Sequence, residues 1–285
     1  MKKIRKILKN PLYAGLLIAS LMLLILVISG EHEMLLTIPF AYYKHRGPSQ
    51  PLGLLIQRLQ HGEIQPTNPY SYGYTILNDK CGNEDDPNDI VIIVKSSRQN
   101  FKKREAIRNA WGCKSLYKNF SVVIVYMVGS SLEDSLQKKL IEENEYHGDI
   151  LQGNFIDSYN NLTIKTQMGL HWLENQCRNF QYALLVDDDI FISPKNTINY
   201  LIEPDRYPSN SLINKISLNG DKHMYAGCRF MNPRPIRFRF HKWHANTDYY
   251  PYNYYPTYIT GYFQLMSRFT VKTLYYASLF TDPFR

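Results

Sequence analysis

Three consecutive aspartates, Asp187 to Asp189, lie between two apolar runs of the chain, residues 182–186 and 190–192. Because both flanks are too apolar for an ordinary surface turn, we expect the triplet to lie at the end of a buried strand. Adjacent carboxylates repel one another, and a hard divalent cation such as Mg²⁺ or Mn²⁺ removes that repulsion when carboxylate oxygens ligate it. The sequence therefore favours a metal site here over the alternative, a solvated acidic turn.

The N-terminal part of the chain has the pattern of a membrane anchor. Five Lys or Arg residues precede residues 12–29, which carry no charge. As a helix, this stretch would span about 27 Å, close to the thickness of the hydrocarbon core of a bilayer. The basic flank before it, and Glu31 and Glu33 after it, predict a cytosolic tail over residues 1–11 and a non-cytosolic remainder. A signal peptide cleaved near Ser29 is the alternative.

The charge and the cysteines are compatible with that location. Five units of the formal net charge of +8 belong to the tail, which leaves only +3 for the remainder, so no nucleic-acid partner is expected. The cysteines are widely spaced and form no C-x-x-C pair. In an oxidising compartment they could form two disulfides in any of three connectivities, with free buried thiols as the alternative. They are Cys81, Cys113, Cys177 and Cys228.

The chain after the span divides into a stem and one α/β domain. Repeated X-Pro pairs predict an irregular stem over residues 30–86, with one short helix at 52–59. Over residues 87–285 apolar runs alternate with amphipathic ones, which predicts a mostly parallel central sheet flanked by helices. Strands are expected at 89–95, 121–128, 149–152 and before the triplet, and helices at 100–111, 133–146, 157–176 and 270–280. Ligands bind such sheets beyond the carboxyl ends of the strands, where the triplet lies.

Two predicted helices bring basic side chains towards that edge. Arg104 and Arg108 share a helical face with Trp111, either as surface residues or as partners of carboxylates or a phosphate. Lys165 lies on or beside the apolar face of its helix, where an unpaired ammonium group is costly. We expect it to pair with a neighbouring acid, a donor phosphate or a catalytic carboxylate.

Several short motifs follow one another through the domain in order. They are Lys95-Ser96-Ser97, Arg104-x-x-Ile107-Arg108-x-x-Trp111-Gly112, Asp149-Ile150-Leu151, Phe155-x-Asp157-Ser158-Tyr159-x-Asn161-Leu162-Thr163-x-Lys165-Thr166, the aspartate triplet, Lys242-Trp243, Tyr250-Pro251 and Tyr255-Pro256-x-Tyr258-x-x-Gly261. In this order and spacing they resemble the β-1,3-galactosyltransferase and β-1,3-N-acetylglucosaminyltransferase family, over about residues 89–282. Each motif alone is weak, but the series is specific.

The resemblance implies a GT-A nucleotide-sugar-binding fold in a single-pass type II Golgi membrane protein with a lumenal catalytic domain. It also implies inverting, metal-dependent transfer of galactose or an N-acetylhexosamine from a UDP-sugar, in β-1,3 linkage, to an acceptor glycan on protein or lipid. The implied cofactor is Mn²⁺ or Mg²⁺. A homodimer is left open.

The resemblance also implies roles for individual residues. Asp189 and Asp187 would hold the metal, with Asp187 and Asp188 near the ribose or the donor sugar. Arg104, Arg108 and Lys165 would hold the nucleotide side of the crevice. Flat aromatic side chains recognise sugars, and residues 242–262 are rich in them, although packing of the loop explains part of this stretch. The residues expected at the acceptor or sugar are Trp243, Tyr255, Tyr258 and Gly261.

The family's catalytic base belongs to an acidic block expected beyond residue 285, so no catalytic residue is assigned, and this chain is expected to be inactive or nearly so. A non-catalytic lumenal protein that binds a UDP-sugar or a partner is therefore the alternative function. A membrane-tethered metal-binding module unrelated to sugars is a third.

Asn119 and Asn161 begin glycosylation sequences, and Asn119 is favoured because the motif places Asn161 inside the fold.

Overall fold

The computed structural model describes residues 11–45, 47–81, 88–131, 134–204 and 223–282. Contacts divide the chain into two units, one of Met1–His45 with Arg229–Tyr258 and one of Arg46–Cys228 with Ile259–Arg285. We call them unit 1 and unit 2. Most of the predicted cytosolic tail, residues 1–10, lies outside the described residues.

A seven-stranded sheet forms the centre of the fold, with strand order β1-β4-β3-β2-β5-β7-β6. Strands β4, β3, β2 and β5 are parallel neighbours, while β1 and β7 pair with them in antiparallel orientation. The strands are β1 (Tyr74–Ile76), β2 (Asn88–Lys95), β3 (Val122–Ser130), β4 (Ile150–Ile156), β5 (Phe180–Asp187), β6 (Tyr225–Phe230) and β7 (Tyr258–Ser267). The predicted α/β architecture with a mostly parallel sheet is confirmed.

The central strands are buried on both faces, which explains their unbroken apolar sequences. In β2, Ile90, Ile92 and Val94 pack into one hydrophobic cluster, whereas Val91 and Ile93 pack into the other. None of these five residues is exposed to solvent. Two cores, one on each face, therefore hold the sheet between helices.

Eight α-helices are present in the described part of the chain. They are α1 (Pro11–Ser29), α2 (Glu31–Met34), α3 (Leu52–Gln60), α4 (Phe101–Arg108), α5 (Asp134–His147), α6 (Leu162–Asn175), α7 (Pro194–Ile202) and α8 (Arg268–Ser278). By length and composition α1 is a candidate membrane span, as the sequence predicts. The expected helices at 52–59, 133–146, 157–176 and 270–280 correspond to α3, α5, α6 and α8.

Helix α4 ends three residues before the predicted end at Trp111. The amide of Gly112 donates a 2.7 Å hydrogen bond to the Ile107 carbonyl, and a Cβ at Gly112 would come within 2.7 Å of that same oxygen. Only glycine allows this close return of the chain. Trp111 therefore lies in the turn after the helix, and its side chain is buried there. The prediction that it continues the helical face of Arg104 and Arg108 is wrong.

Part of the expected stem belongs to the body of unit 2. Strand β1 pairs with β4, Asn68 donates from its backbone to the Leu279 carbonyl, and Cys81 forms a disulfide with Cys177. Residues 68–81 therefore pack on the domain where an irregular stem was predicted, while the short helix expected within the stem at 52–59 is present as α3. Because residues 82–87 lie outside the described part, the boundary at residue 86 remains a prediction.

The other two cysteines, Cys113 and Cys228, are free and exposed. The structure thus contains one disulfide where the sequence allowed two, and the unpaired thiols are not buried.

Helix α8 finds partners for its apolar face within unit 2. Val271 is fully buried in the hydrophobic cluster that also contains Val91 and Ile93, and Leu274 and Tyr275 pack against that cluster. Leu279 is 5% exposed. The side chain of Ser267 caps the N-terminus by accepting from the Thr270 amide. These contacts bury Val271 and Leu279 and cover part of Leu274 and Tyr275.

Candidate active site

The aspartate triplet lies at the carboxyl edge of the parallel sheet, as predicted. Asp187 ends β5 and is in register with Lys95, which ends β2. The chain then turns, and the Asp188 amide donates to the Lys95 carbonyl at 3.1 Å. A polar crevice of about 480 Å³ opens here, lined by the turns after β2, β4 and β5 and by the first turn of α6.

Asp188 is the most strongly held member of the triplet. Its side chain is 9% exposed and accepts hydrogen bonds from Ser96 Oγ at 2.7 Å, Asn100 Nδ2 at 2.7 Å and Lys103 Nζ at 2.8 Å. Burial alone would raise the pKa of Asp188, but the three donors and the charge of Lys103 outweigh it and lower that pKa. Asp188 is therefore a fixed carboxylate in the wall of the crevice.

Asp187 pairs with a buried lysine. Lys95 Nζ lies 2.7 Å from Asp187 Oδ1 and also donates to the carbonyl of Gly261 on β7. The Lys95 side chain is 7% exposed, whereas that of Asp187 is 37% exposed. One carboxylate oxygen is thus tied to the sheet, while the group as a whole faces the crevice.

Asp189 differs from both of its neighbours. It is exposed and, within the described residues, accepts no hydrogen bond and forms no ion pair. No group of three or more potential metal ligands is preassembled among those residues. Mg²⁺-like ions need no such protein cage, because they commonly bind through one or two carboxylates and complete their shell with water and substrate phosphates. The carboxylate of Asp189 is open, and that of Asp187 has one oxygen paired with Lys95 and the other available. These two carboxylates fit that type of site.

Lys165 is buried in the wall of the crevice and paired with an acid. Its Nζ lies 2.6 Å from Asp157 Oδ1 and donates to the Ser96 carbonyl at 2.8 Å. Burial lowers the pKa of Lys165, and the negative charge of Asp157 opposes that effect. Of the partners expected from the sequence, the structure shows the neighbouring acid. Lys165 thereby fixes Ser96, whose hydroxyl holds Asp188.

Arg104 lies below the crevice rather than on its surface. Its guanidinium group is fully buried and binds Glu143 through two hydrogen bonds, at 2.8 and 2.6 Å. The remaining donors reach Ser96 Oγ and the carbonyls of Ser97 and Arg98. All five N–H groups are thus used, so the expected direct contact of Arg104 with a nucleotide does not fit this geometry.

Arg108 continues the same ion-pair network. It binds Asp149 through Nε at 2.9 Å and Nη2 at 2.8 Å, and it reaches Glu143 at 2.7 Å. The carboxylate alternative raised by the sequence is therefore the observed one for both arginines. Arg108 does not line the crevice around the triplet, so its contact with a nucleotide stays a prediction that the geometry does not favour.

The residues expected to bind the acceptor belong to different units. Gly261 lies on β7 in unit 2, where its carbonyl accepts from Lys95. Trp243, Tyr255 and Tyr258 belong to unit 1. Their role in binding sugar remains a prediction.

The two glycosylation sequences differ in exposure. Asn119 is exposed, whereas Asn161 donates from its side-chain amide to the Ile156 carbonyl at 2.8 Å. The amide that would carry a glycan on Asn161 is thus engaged, which favours Asn119 as the sequence does.

Sequence reasoning did not assign several residues that build the crevice. Ser96, Asn100 and Lys103 hold Asp188, while Asp157 holds Lys165. One signal was available, because Lys95, Ser96 and Ser97 directly follow a buried strand and so lie at the carboxyl edge of the sheet.

A sheet of this topology, with an acidic crevice beyond its parallel strands, is the setting of a nucleotide-dependent enzyme. The family model for galactosyltransferases matches residues 102–285, more than half of the chain. The chain therefore belongs to the galactosyltransferase family and is a glycosyltransferase, as the motif series indicated.

The chain is also similar to individual proteins, of which three follow. The chain is 29% identical over 249 residues to beta-1,3-galactosyltransferase 1 of Homo sapiens, covering 86% of this chain and 72% of the relative. It is 32% identical over 201 residues to beta-1,3-galactosyltransferase brn of Drosophila melanogaster, covering 70% and 58%. It is also 32% identical over 196 residues to beta-1,3-galactosyltransferase 2 of Homo sapiens, covering 68% and 43%.

Proposed function

We propose that this protein transfers a hexose, galactose in the first place, from a UDP-sugar to a hydroxyl of an acceptor glycan on protein or lipid. The linkage is β-1,3 and the anomeric carbon is inverted. Mn²⁺ or Mg²⁺ assists at the crevice. The names of the relatives support galactose and the linkage, with an N-acetylhexosamine as the other donor to test. The observation that carries the proposal is the triplet, with its one open carboxylate, at the carboxyl edge of the sheet.

The charge of the crevice supports a metal requirement. Its wall contains the carboxylates of Asp157 and the triplet together with the ammonium groups of Lys95 and Lys165, and Lys103 pairs with Asp188 from outside the wall. Four negative groups against three positive ones leave a net charge of −1, which repels a diphosphate. A bound divalent cation reverses the sign to +1 and makes the site attractive to that anion.

Each protein group has a distinct part in this proposal. Asp189 ligates the cation and Asp187 supports it, while Lys95 fixes the orientation of Asp187. Asp188, held by three donors, gives the crevice a rigid wall. When bound, the cation neutralises the charge that develops on the departing diphosphate. Among the described crevice residues no carboxylate is assigned as the base, because three pair with lysines and the fourth is the proposed ligand.

A transfer assay on the full chain in detergent tests this function. Unlike the near-inactive chain expected from the motif series, the proposal predicts release of UDP that depends on both a divalent cation and an acceptor glycan. It also predicts a loss of at least tenfold in Asp189→Asn. Glu142→Gln removes one exposed charge from α5 and serves as the matched control. Metal-dependent binding of UDP without transfer would instead indicate the non-catalytic alternative.

We also propose a type II orientation in the Golgi membrane, with the chain after α1 in the lumen. The basic flank before α1 supports the orientation, and the Cys81–Cys177 disulfide supports an oxidising compartment. A glycan on Asn119 that disappears in Asn119→Gln would agree with this topology. Absence of any glycan, together with protease access to residues after α1 from the cytosolic side, would contradict it.

A further inference from the structure

The segment 229–258 is attached to the end of the apolar helix within unit 1. Gly30 directly follows α1, has φ of +78°, and a Cβ added to it would collide with the Arg237 carbonyl group. The backbone of Arg237 is therefore packed against the last turn of α1. A second attachment joins Ile38 to the same segment, because its amide donates to the Pro251 carbonyl at 2.8 Å.

Arg237 itself fixes the local structure of this segment. The residue is 4% exposed, and its guanidinium group donates to the carbonyls of Ala245, Tyr250 and Tyr252. The residues that follow Arg237 thus belong to a loop that these hydrogen bonds hold in place next to α1.

Those residues form a surface that is both aromatic and basic. Phe238, Phe240 and Trp243 are 40%, 81% and 56% exposed, and the rings of Phe238 and Phe240 lie 5.7 Å apart. Arg239 and Lys242 lie between them in sequence and are also exposed. We call these five residues the aromatic–basic surface. A contiguous patch of exposed apolar side chains, unlike single exposed ones, marks a contact with another molecule.

The position of this surface along the membrane normal follows from the chain. Phe240 is three residues from Arg237, so their Cα atoms are at most about 11 Å apart. The headgroup layer on each side of the hydrocarbon core is about 5–8 Å thick. If α1 spans the bilayer up to Ser29, Phe240 therefore lies at or near the level of the headgroups. The Ala245 amide donates to the Ile236 carbonyl at 2.9 Å, which returns the chain just after Trp243 to the neighbourhood of Arg237.

The distribution of charge also indicates that this surface contacts the lipid headgroups. Residues 229–258 contain five Arg or Lys and one Asp, a net charge of +4 with histidines neutral. Outside the N-terminal tail the whole chain carries only +3, so the positive charge of the extramembranous part is concentrated in this segment. Basic side chains at the level of the headgroups can bind lipid phosphates, which phospholipids of either leaflet carry, and aromatic rings are enriched at that same depth.

We propose that the aromatic–basic surface docks on the membrane that α1 enters. Phe238, Phe240 and Trp243 insert at the boundary between headgroups and acyl chains, while Arg239 and Lys242 bind lipid phosphates. Trp243 is then an interfacial residue and not the acceptor-binding one that the sequence favoured. This inference rests on α1 spanning a membrane and not on the transferase activity, so its failure leaves the proposed function intact.

Tryptophan fluorescence tests the proposal in the full chain. Of the three tryptophans, Trp111 and Trp172 are 3% and 0% exposed, so quenching from the lipid side reports on Trp243. The chain is reconstituted in phosphatidylcholine brominated near the headgroup end of its acyl chains, with and without phosphatidylserine. We expect strong quenching that increases with phosphatidylserine and that is lost in Trp243→Phe.

Charge variants then test the basic part of the surface. Arg239→Gln/Lys242→Gln should weaken docking about fivefold for each charge removed, with quenching normalised to unbrominated lipid. Lys138→Gln/Lys139→Gln removes two exposed charges from α5 and should leave quenching unchanged. Quenching of the wild-type chain no greater than that of Trp243→Phe would overturn the proposal, as would an equal response of the two double variants.

Discussion

Ser96 Oγ donates a 2.7 Å hydrogen bond to Asp188 Oδ2, although the two residues are 92 positions apart in the chain. The same hydroxyl accepts from Arg104, and the carbonyl of Ser96 accepts from Lys165. Ser96 is thus the point at which the buried ion pairs below the crevice are joined to the aspartate triplet.

Removing the Ser96 hydroxyl should weaken donor binding without unfolding the protein. Ser96→Ala takes one of three donors from Asp188 and should lower affinity for UDP with Mn²⁺ by about tenfold. Ser97→Ala is the matched control, because among the described residues the Ser97 hydroxyl donates to the Gln99 side chain and not to the triplet. Affinity is measured by calorimetry. Equal losses of affinity in the two variants would show that the hydrogen bond from Ser96 to Asp188 does not contribute to donor binding.

Arg104 should matter for stability more than any exposed charge on the same helix. Arg104→Met leaves Glu143 with one partner in place of two and should cost about 3–5 kcal/mol of unfolding free energy. Lys102→Met removes an exposed charge two residues away and should cost less than about 0.5 kcal/mol. Chemical denaturation followed by tryptophan fluorescence compares them. Similar losses would mean that the buried network contributes little.

Acidification should destabilise the fold through His171. Burial among Tyr70, Tyr74 and Tyr275 lowers the pKa of His171, and the Tyr74 hydroxyl lies 2.8 Å from its Nδ1. Because the unfolded chain then binds a proton more readily than the folded one, stability is complete above the ordinary value of 6.5 and decreases as the pH falls below it.

His171→Gln should flatten this part of the stability curve, measured by denaturation at a series of pH values. His61→Gln is the control, because His61 is largely exposed. A slope below pH 6.5 that persists unchanged in His171→Gln would assign the effect to other groups.

The sequence indicates the central strands well because their environment leaves little choice. In β2 and β5, continuous apolar residues are buried on both faces, so their pattern follows directly from the structure. Strand β1 was not foreseen, since its three residues carry no such pattern and depend on pairing with β4. The end of α4 was placed too late because Trp111 continues the helical period, whereas the turn at Gly112 ends it.

The position of the candidate site could be predicted from the sequence, but the pairs of side chains that build it could not. Three adjacent acids after a buried strand indicate the edge of the sheet, and that inference needs no distant contact. Which acid is held and which is open depends on Asn100 and Lys103, which are 88 and 85 residues away from Asp188. Likewise, Glu143 lies 39 residues from Arg104, and nothing local in the sequence marks the two as partners.

The central claim is that Asp189 holds a cation that in turn holds a diphosphate. Calorimetric titration of the full chain with UDP, with Mn²⁺ and then with a chelator, tests it most directly. We predict binding with Mn²⁺ that weakens at least tenfold with chelator or in Asp189→Asn, and that is unchanged in Glu142→Gln. Binding of UDP that is equally strong without metal and in Asp189→Asn would contradict the account.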